Sequence, residues 1–411
     1  MAKSYKIKRY RHIYRKRRFS PIKAGLLLLL LAVLAFVGFS LYEPVHDFWS
    51  GKLLQRMESS SSAPEEQPEP SSQQAESLPQ ASEPEMAPLS GIHALYIPEE
   101  VLLSGEILPY LQNHSLPDIN TVLVDLKNSA GQVLYQSHVE FVAEAGSQHA
   151  QAIDLPEVVA ALQAAGYQTA GRICAFRDPI APYAHETAAV KYENTEWTWL
   201  DNSQEAGGRP WLNPYSPVAQ DYIGDLANEA VGMGIPLILI DNLQFPEGLG
   251  LDRATFGEWA ASQSKADVLQ DFAEKLQARL LPQGAAAIPC VSGIHLLGQN
   301  LSLPYDATNP AAIFTTSALS VQMMPALFGE VFEAEGFRLQ APATTPYETT
   351  QAVAGRALAT LSEGTQLLPW IQGYTAQNLS GDFNRTYTEE EVSEQIRALR
   401  EAGVDSYILV Y

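Results

Sequence analysis

Beyond residue 90 the chain alternates between short apolar runs and longer stretches with helical spacing. Eight runs read as strands: 92–98, 121–127, 169–176, 236–246, 286–291, 318–324, 365–372 and 406–411. Unbroken apolar runs of this length suit strands covered on both faces, as in a parallel sheet. Between them, 99–113, 155–165, 216–234, 256–281, 346–362 and 388–402 read as helices. The third of these shows the signals well. Ser216 caps it, Pro217 sits in its first turn, and Val218, Tyr222, Leu226 and Ala230 share one face. The last has Thr386 or Thr388 as cap, acids in its first turn and Gly403 after it. An Ala-Gly turn in 128–135 predicts a hairpin excursion. Alternating strands and helices imply parallel strands joined by right-handed crossovers. Eight units between residues 91 and 411 fit an α/β (β/α)8 TIM barrel. An open doubly wound sheet is the alternative, but no Gly-rich phosphate loop follows any strand.

The amino-terminal pattern is different. Residues 24–41 are eighteen positions without a charge, enough for a membrane-spanning helix. Residues 1–23 hold ten Lys/Arg and no acid, which keeps this tail on the cytoplasmic side. No small-x-small cleavage site follows, so the segment reads as an uncleaved signal anchor. Residues 42–90, rich in Ser, Pro and Glu from 57 onward, read as a disordered tether. The expected protein is single-pass, with a globular domain from 91 to 411 held outside the cytoplasmic membrane.

Charge sharpens this picture. The whole chain carries 26 basic and 47 acidic residues, so the part after the tail has 16 against 47, a net of −31. Such a surface argues against nucleic acid as a partner.

Candidate chemistry sits at strand ends. Leu237 to Ile240 run directly into Asp241, a carboxylate at the carboxyl end of an expected parallel strand, where α/β enzymes place their chemistry. Asp241 is the first candidate, as proton donor or nucleophile; a turn-capping Asp is the plain alternative. Asp125 repeats the arrangement after Val122 to Val124. Lys127, two residues on, is expected on the same side of the strand, where it would hold Asp125 ionised or close the barrel rim with it. Asp178 follows the third strand beside Arg177 and precedes Pro179, so it is either a third acid or a turn residue. Arg172, mid-strand, needs a carboxylate partner inside a barrel or contacts substrate.

A long excursion, 178–215, holds Trp197, Trp199 and Trp211, and long loops in compact domains are usually functional. Cys174 and Cys290 lie in apolar runs and read as buried thiols. None of the eight His, among them His93, His185 and His295, forms a ligand-spaced pair, so neither metal nor cofactor is expected.

With these pieces in place the chain resembles a family: a glycoside hydrolase-like domain of unknown function on anchored or secreted bacterial proteins, a TIM barrel. The matching stretches are Val124-Asp-Leu-Lys-Asn with Gly131, Gly171-Arg-Ile-Cys-Ala-Phe-Arg-Asp-Pro179, Trp211-Leu-Asn-Pro-Tyr215, Ile240-Asp-Asn-Leu-Gln-Phe-Pro246 and Leu368-Pro-Trp-Ile-Gln372. The chain departs from the family pattern at Asn242 and Gln244, where the family has Tyr and Arg, and at Gly373, where it has Asp. The family's Pro-Met-x-Tyr-Pro is reduced to Met323-Met-Pro325. The resemblance implies carboxylate acid/base chemistry on cell-envelope or extracellular polysaccharide. Trp211, Asn213, Gln244, Trp370 and Gln372 would contact sugar beside Lys127 and Arg172, with core packing the competing role for the tryptophans. The missing acid at Gly373 leaves a second expectation open: a non-catalytic glycan-binding or envelope-scaffold domain on a degenerate barrel.

Overall fold

A computed structural model describes residues 89–114 and 116–411. The expected cytoplasmic tail (1–23), membrane anchor (24–41) and nearly all of the linker (42–90) lie outside the described residues. Among the described residues no helix is long and apolar enough to cross a membrane.

Eight strands form the barrel: β1 (His93–Tyr96), β2 (Thr121–Lys127), β3 (Gln168–Cys174), β4 (Leu237–Asp241), β5 (Ala286–Ser292), β6 (Ala318–Gln322), β7 (Gln366–Gln372) and β8 (Tyr407–Val410). Each pairs in parallel with the next, and β8 closes the ring on β1 through Ala94 opposite Ile408 and Leu95 opposite Leu409. The crossovers carry α1 (Ile107–His114), α2 (Leu155–Ala164), α3 (Pro217–Gly232), α4 (Lys265–Leu280), the one-turn α5 (Pro310–Ile313), α6 (Pro346–Leu358) and α7 (Glu389–Glu401).

Sequence chemistry explains most boundaries. Ser216 Oγ accepts from the Ala219 amide at the start of α3. Thr388 and Glu391 form a capping box on α7, giving two of its orphan amides partners. The expected 99–113 helix is instead two, because Gly105 adopts φ +77° and ends the first, Glu99–Ser104. The expected 256–281 helix starts at Lys265, where Ser264 caps it; only a short 3-10 turn, Glu258–Ala261, precedes it. The 128–135 excursion meets β2 through one antiparallel pair, Lys127 with Val133. It continues into a helix, Glu140–Ala145, and an extra strand, Gln148–Ile153, which the pattern did not announce.

The sheet divides the apolar residues in two. Outward residues such as Val122, Val124, Ile173, Ile238, Ile240, Val321 and Leu409 pack with the helices, against Leu226, Leu269, Phe272, Val353 and Val392. Inward residues such as Ala94, Leu123, Ala170, Leu239, Ile288, Leu368 and Ile408 fill the barrel. This is the period-two alternation of strands acting on eight strands at once. The filling is apolar toward the amino ends and turns polar at the carboxyl ends, which sets the site there.

One irregularity matters. Asp125 stands opposite Arg172, but Lys127 stands opposite Ile173, so two residues of β2 advance against one of β3. This bulge breaks the alternation. Asp125 faces inward, and Lys127 faces the helices, with its Nζ 5.9 Å from the Tyr222 ring of α3.

Candidate active site

Arg172 organises the carboxyl end of the barrel. Its Nε and Nη2 donate to the two oxygens of Asp125, each at 2.6 Å. Its Nη1 donates to Asp241 Oδ2 at 3.1 Å. A planar guanidinium suits such a fork, and its third arm reaches the second acid without leaving the first. One guanidinium thus spans both carboxyl groups. Tyr96, the last residue of β1, donates from its hydroxyl to Asp125 Oδ2 at 2.9 Å. The Arg172 guanidinium lies 5.2 Å from the Tyr96 ring and 5.6 Å from the Trp370 ring, contacts within cation–π range.

Asp241 has a second set of partners. The Asn242 amide donates to Oδ1 at 2.8 Å, and Gln322 Nε2, from the end of β6, lies 3.4 Å from each oxygen. Asn242 adopts φ +51°, the left-handed region that Asn tolerates better than most residues, so the chain turns sharply right after the acid.

The electrostatics separate the groups. Burial raises the Asp241 carboxyl above its ordinary value, against the opposing pull of Arg172 and the Asn242 amide. Burial also works against the Arg172 charge, but Asp125 and Asp241 outweigh it and keep the guanidinium firmly protonated. The Tyr96 hydroxyl is raised by burial and then by Asp125. The arrangement thus raises the proton affinity of Asp241 beside a fixed cation and presents both at the barrel mouth.

The sequence-derived candidates sort clearly. Asp125, Asp241, Arg172 and Trp370 come together. Asp125 is 3% exposed and fully engaged with Arg172 and Tyr96, which gives it the role of anchoring the guanidinium. Lys127 does not join it; the bulge turns Lys127 outward onto Asp178, at 2.9 Å, and both side chains are 0% exposed. Asp178 stands outside the barrel wall, and its Oδ1 accepts the amides of Ile180 and Ala181. A side chain at Gly131 would collide with that oxygen, so the Gly is needed to admit the acid.

Trp211 packs with Val190 and Trp199 in a small core of the β3–α3 excursion, its Nε1 donating to Asp201. Asn213 shapes the same excursion, donating to the Phe256 carbonyl and accepting from the Tyr215 amide. Gln372 is fully buried and holds the Ala326 amide and the Tyr374 carbonyl. Trp370 lies inside the barrel, its Nε1 donating to Ser320 Oγ at 2.8 Å. Gln244 sits on the β4–α4 loop and donates to Glu247. A Cβ at Gly373 would lie 2.7 Å from the Tyr411 ring, so a larger residue there needs that ring to shift. Both cysteines are free and buried, and burial pushes the Cys174 thiol up to about 12. Among the described residues no group of His, Cys, Asp or Glu has a metal-holding arrangement.

Tyr96, Gln322 and Glu247 were not among the candidates. Tyr96 and Gln322 obey the rule that found Asp241, a polar residue at the carboxyl end of an apolar strand. Glu247 is on a loop and carries no periodic signal.

No curated protein matches the chain. Among solved structures, the glycoside hydrolase domain of PgaB (BpsB) from Bordetella bronchiseptica superposes with TM-score 0.51 at 12% identity, over 78% of this chain and 94% of that one. At such identity the likeness shows the barrel fold alone. A hypothetical protein from Ruminiclostridium thermocellum ATCC 27405 is 23% identical over 47% of this chain and 96% of that chain, with TM-score 0.40. Residues 94–410 match the family described as "Putative glycosyl hydrolase domain", and the chain belongs to that family.

Proposed function

We propose that the barrel hydrolyses glycosidic bonds in a cell-envelope or extracellular polysaccharide. In this reading residues 24–41 anchor it in the cytoplasmic membrane, with residues 1–23 inside and the barrel outside. The observation that carries the hydrolase reading is Asp241. It is a carboxyl at the end of β4, 8% exposed, shifted by burial toward its protonated form and flanked by a fixed cation. A carboxyl whose proton affinity is raised by burial is suited to give its proton to a leaving glycosidic oxygen. Arg172 then opposes the negative charge left on Asp241, and Tyr96 and Asp125 keep Arg172 in place.

A non-catalytic glycan binder is the second reading, favoured by the engagement of Asp125 with Arg172 and by the burial of Asp178 with Lys127. The two readings separate with Asp241→Asn, which keeps shape and removes the proton donor. On any polysaccharide the protein cleaves, the variant should lose 10²-fold or more of turnover, about the worth of a positioned acid, while binding survives. Equal inactivity of wild type and variant, with retained glycan binding, leaves the binder.

A further inference from the structure

Glycosidases use a second carboxylate, as base or nucleophile, and Asp125 and Asp178 are both held in ion pairs. We infer that Glu247, on the β4–α4 loop, is that group and takes the proton of the attacking water, with His295 as its positioning residue. The inference rests on the hydrolase reading above.

Glu247 lies six residues after Asp241, beyond the carboxyl end of β4, and His295 lies in the short helix Gly293–Leu296 just beyond β5. Both are therefore at the mouth. Gln244 Nε2 donates to Glu247 Oε2 at 3.1 Å, which fixes one oxygen of the carboxylate. His295 Nε2 stands 3.8 Å from the other oxygen. The Tyr305 hydroxyl is pushed well above its ordinary value by burial, and next by Asp241 and Glu247, so both carboxyl groups act on one neighbour.

The second line of support is His295 itself. It is 7% exposed, yet its Nδ1 is buried without a hydrogen-bond partner. Buried ring nitrogens normally have partners. The ring thus brings a polar atom without a protein partner to the mouth beside Glu247. Burial also lowers the proton affinity of His295, against the pull of Glu247, so the ring favours its neutral form, with one N–H and one acceptor nitrogen. The Tyr305 ring meets the imidazole edge-on at 5.4 Å between centroids and fixes its plane.

Exposure assigns the roles. The Glu247 side chain is 39% exposed, so water reaches it, whereas Asp241 is sunk among Arg172, Gln322 and the Asn242 amide. In the step, Glu247 removes a proton from water as the oxygen bonds to the anomeric carbon. The glycosidic C–O bond breaks, and its oxygen takes the proton of Asp241. Glu247 ends protonated and Asp241 ionised, and exchange with solvent restores both.

The test uses the full chain on a polysaccharide it cleaves and on a matched set of phenyl and 2,4-dinitrophenyl glycosides. Glu247→Gln should lower kcat by about 10²–10⁴-fold on every leaving group. Sodium azide should restore turnover to Glu247→Ala and yield a glycosyl azide. Asp241→Asn should behave differently, sparing the dinitrophenyl substrates that need no acid. Thermal unfolding of Glu247→Gln should match wild type, since the carboxylate is part-exposed on a loop. His295→Gln should lower kcat with KM little changed. Wild-type kcat in Glu247→Gln, with active wild type, overturns the inference and leaves the hydrolase reading standing. No turnover by wild type on the polysaccharide and both glycoside sets overturns the reading and the inference together.

Discussion

At the scale of residues, Asp241 carries an acid into a barrel that does not favour its charge. Burial holds its carboxyl above the ordinary value of 3.8, despite Arg172 and the Asn242 amide. The folded state therefore binds this proton more tightly than the unfolded chain. The sign follows: stability falls as pH rises from the ordinary carboxylate range through the folded value, and stays lower above it. Asp241→Asn has no such proton to lose. The variant should melt above wild type at pH 7, and the gap should shrink as pH falls below the ordinary carboxylate range. Arg172 keeps both bonds to Asp125 in the variant, so it is not left unpaired. Thermal unfolding of both proteins across pH checks this; a variant that melts lower at pH 7 would contradict it. A carboxyl that costs stability when ionised fits the proposed role of Asp241, since active sites commonly trade stability for function. Asp241, Asp125 and Arg172 were legible because each interrupts an apolar strand, where only a partner or a task permits charge. The outward turn of Lys127 was not, because a bulge leaves no mark in a pattern of residue types. Glu247 and His295 were not either, since neither a loop nor a one-turn helix carries a period.

At the scale of elements, the strands were the most legible part. A run covered on both faces is largely apolar, and seven of the eight barrel strands have at most one charged residue; β2 has two, Asp125 and Lys127. Helix interiors were less legible than their caps. Gly105 and Ser264 each cut an expected long helix, because a left-handed stop and an N-cap act at single positions inside a continuing amphipathic pattern. β8 shows what one element contributes. Tyr407, Ile408, Leu409 and Val410 complete the ladders to both β1 and β7. Tyr407 also stacks on His93 at 4.8 Å and donates to Asp118. Without β8, two neighbouring strands would present unpaired edges and the interior would open to water. Deleting residues 404–411 should give insoluble protein or abolish cooperative unfolding. Cooperative unfolding at the wild-type midpoint would show that the gap between β1 and β7 is tolerated.

At the scale of the whole molecule, the barrel and the amino-terminal segment pose one joint question. The barrel sequence is strongly acidic, whereas residues 1–23 are basic throughout and 24–41 are uncharged. Positive charge is retained on the cytoplasmic side of a spanning helix, and eighteen uncharged, mostly apolar positions are close to the length a bilayer core requires. In the proposed topology the polar, proline-rich sequence from 57 to 90 is where an external protease is expected to cut. Protease added outside intact cells should therefore release a soluble fragment that begins within 57–90 and retains the barrel. The first 41 residues should stay with the membrane. The barrel should resist the same protease, because its termini are tied down: β1 lies between β2 and β8, and β8 between β1 and β7. Mass spectrometry of the released fragment identifies the cut. A barrel that stays cell-associated until the membrane is breached would place the domain on the cytoplasmic side. Any glycan bound by the barrel would then have to be intracellular.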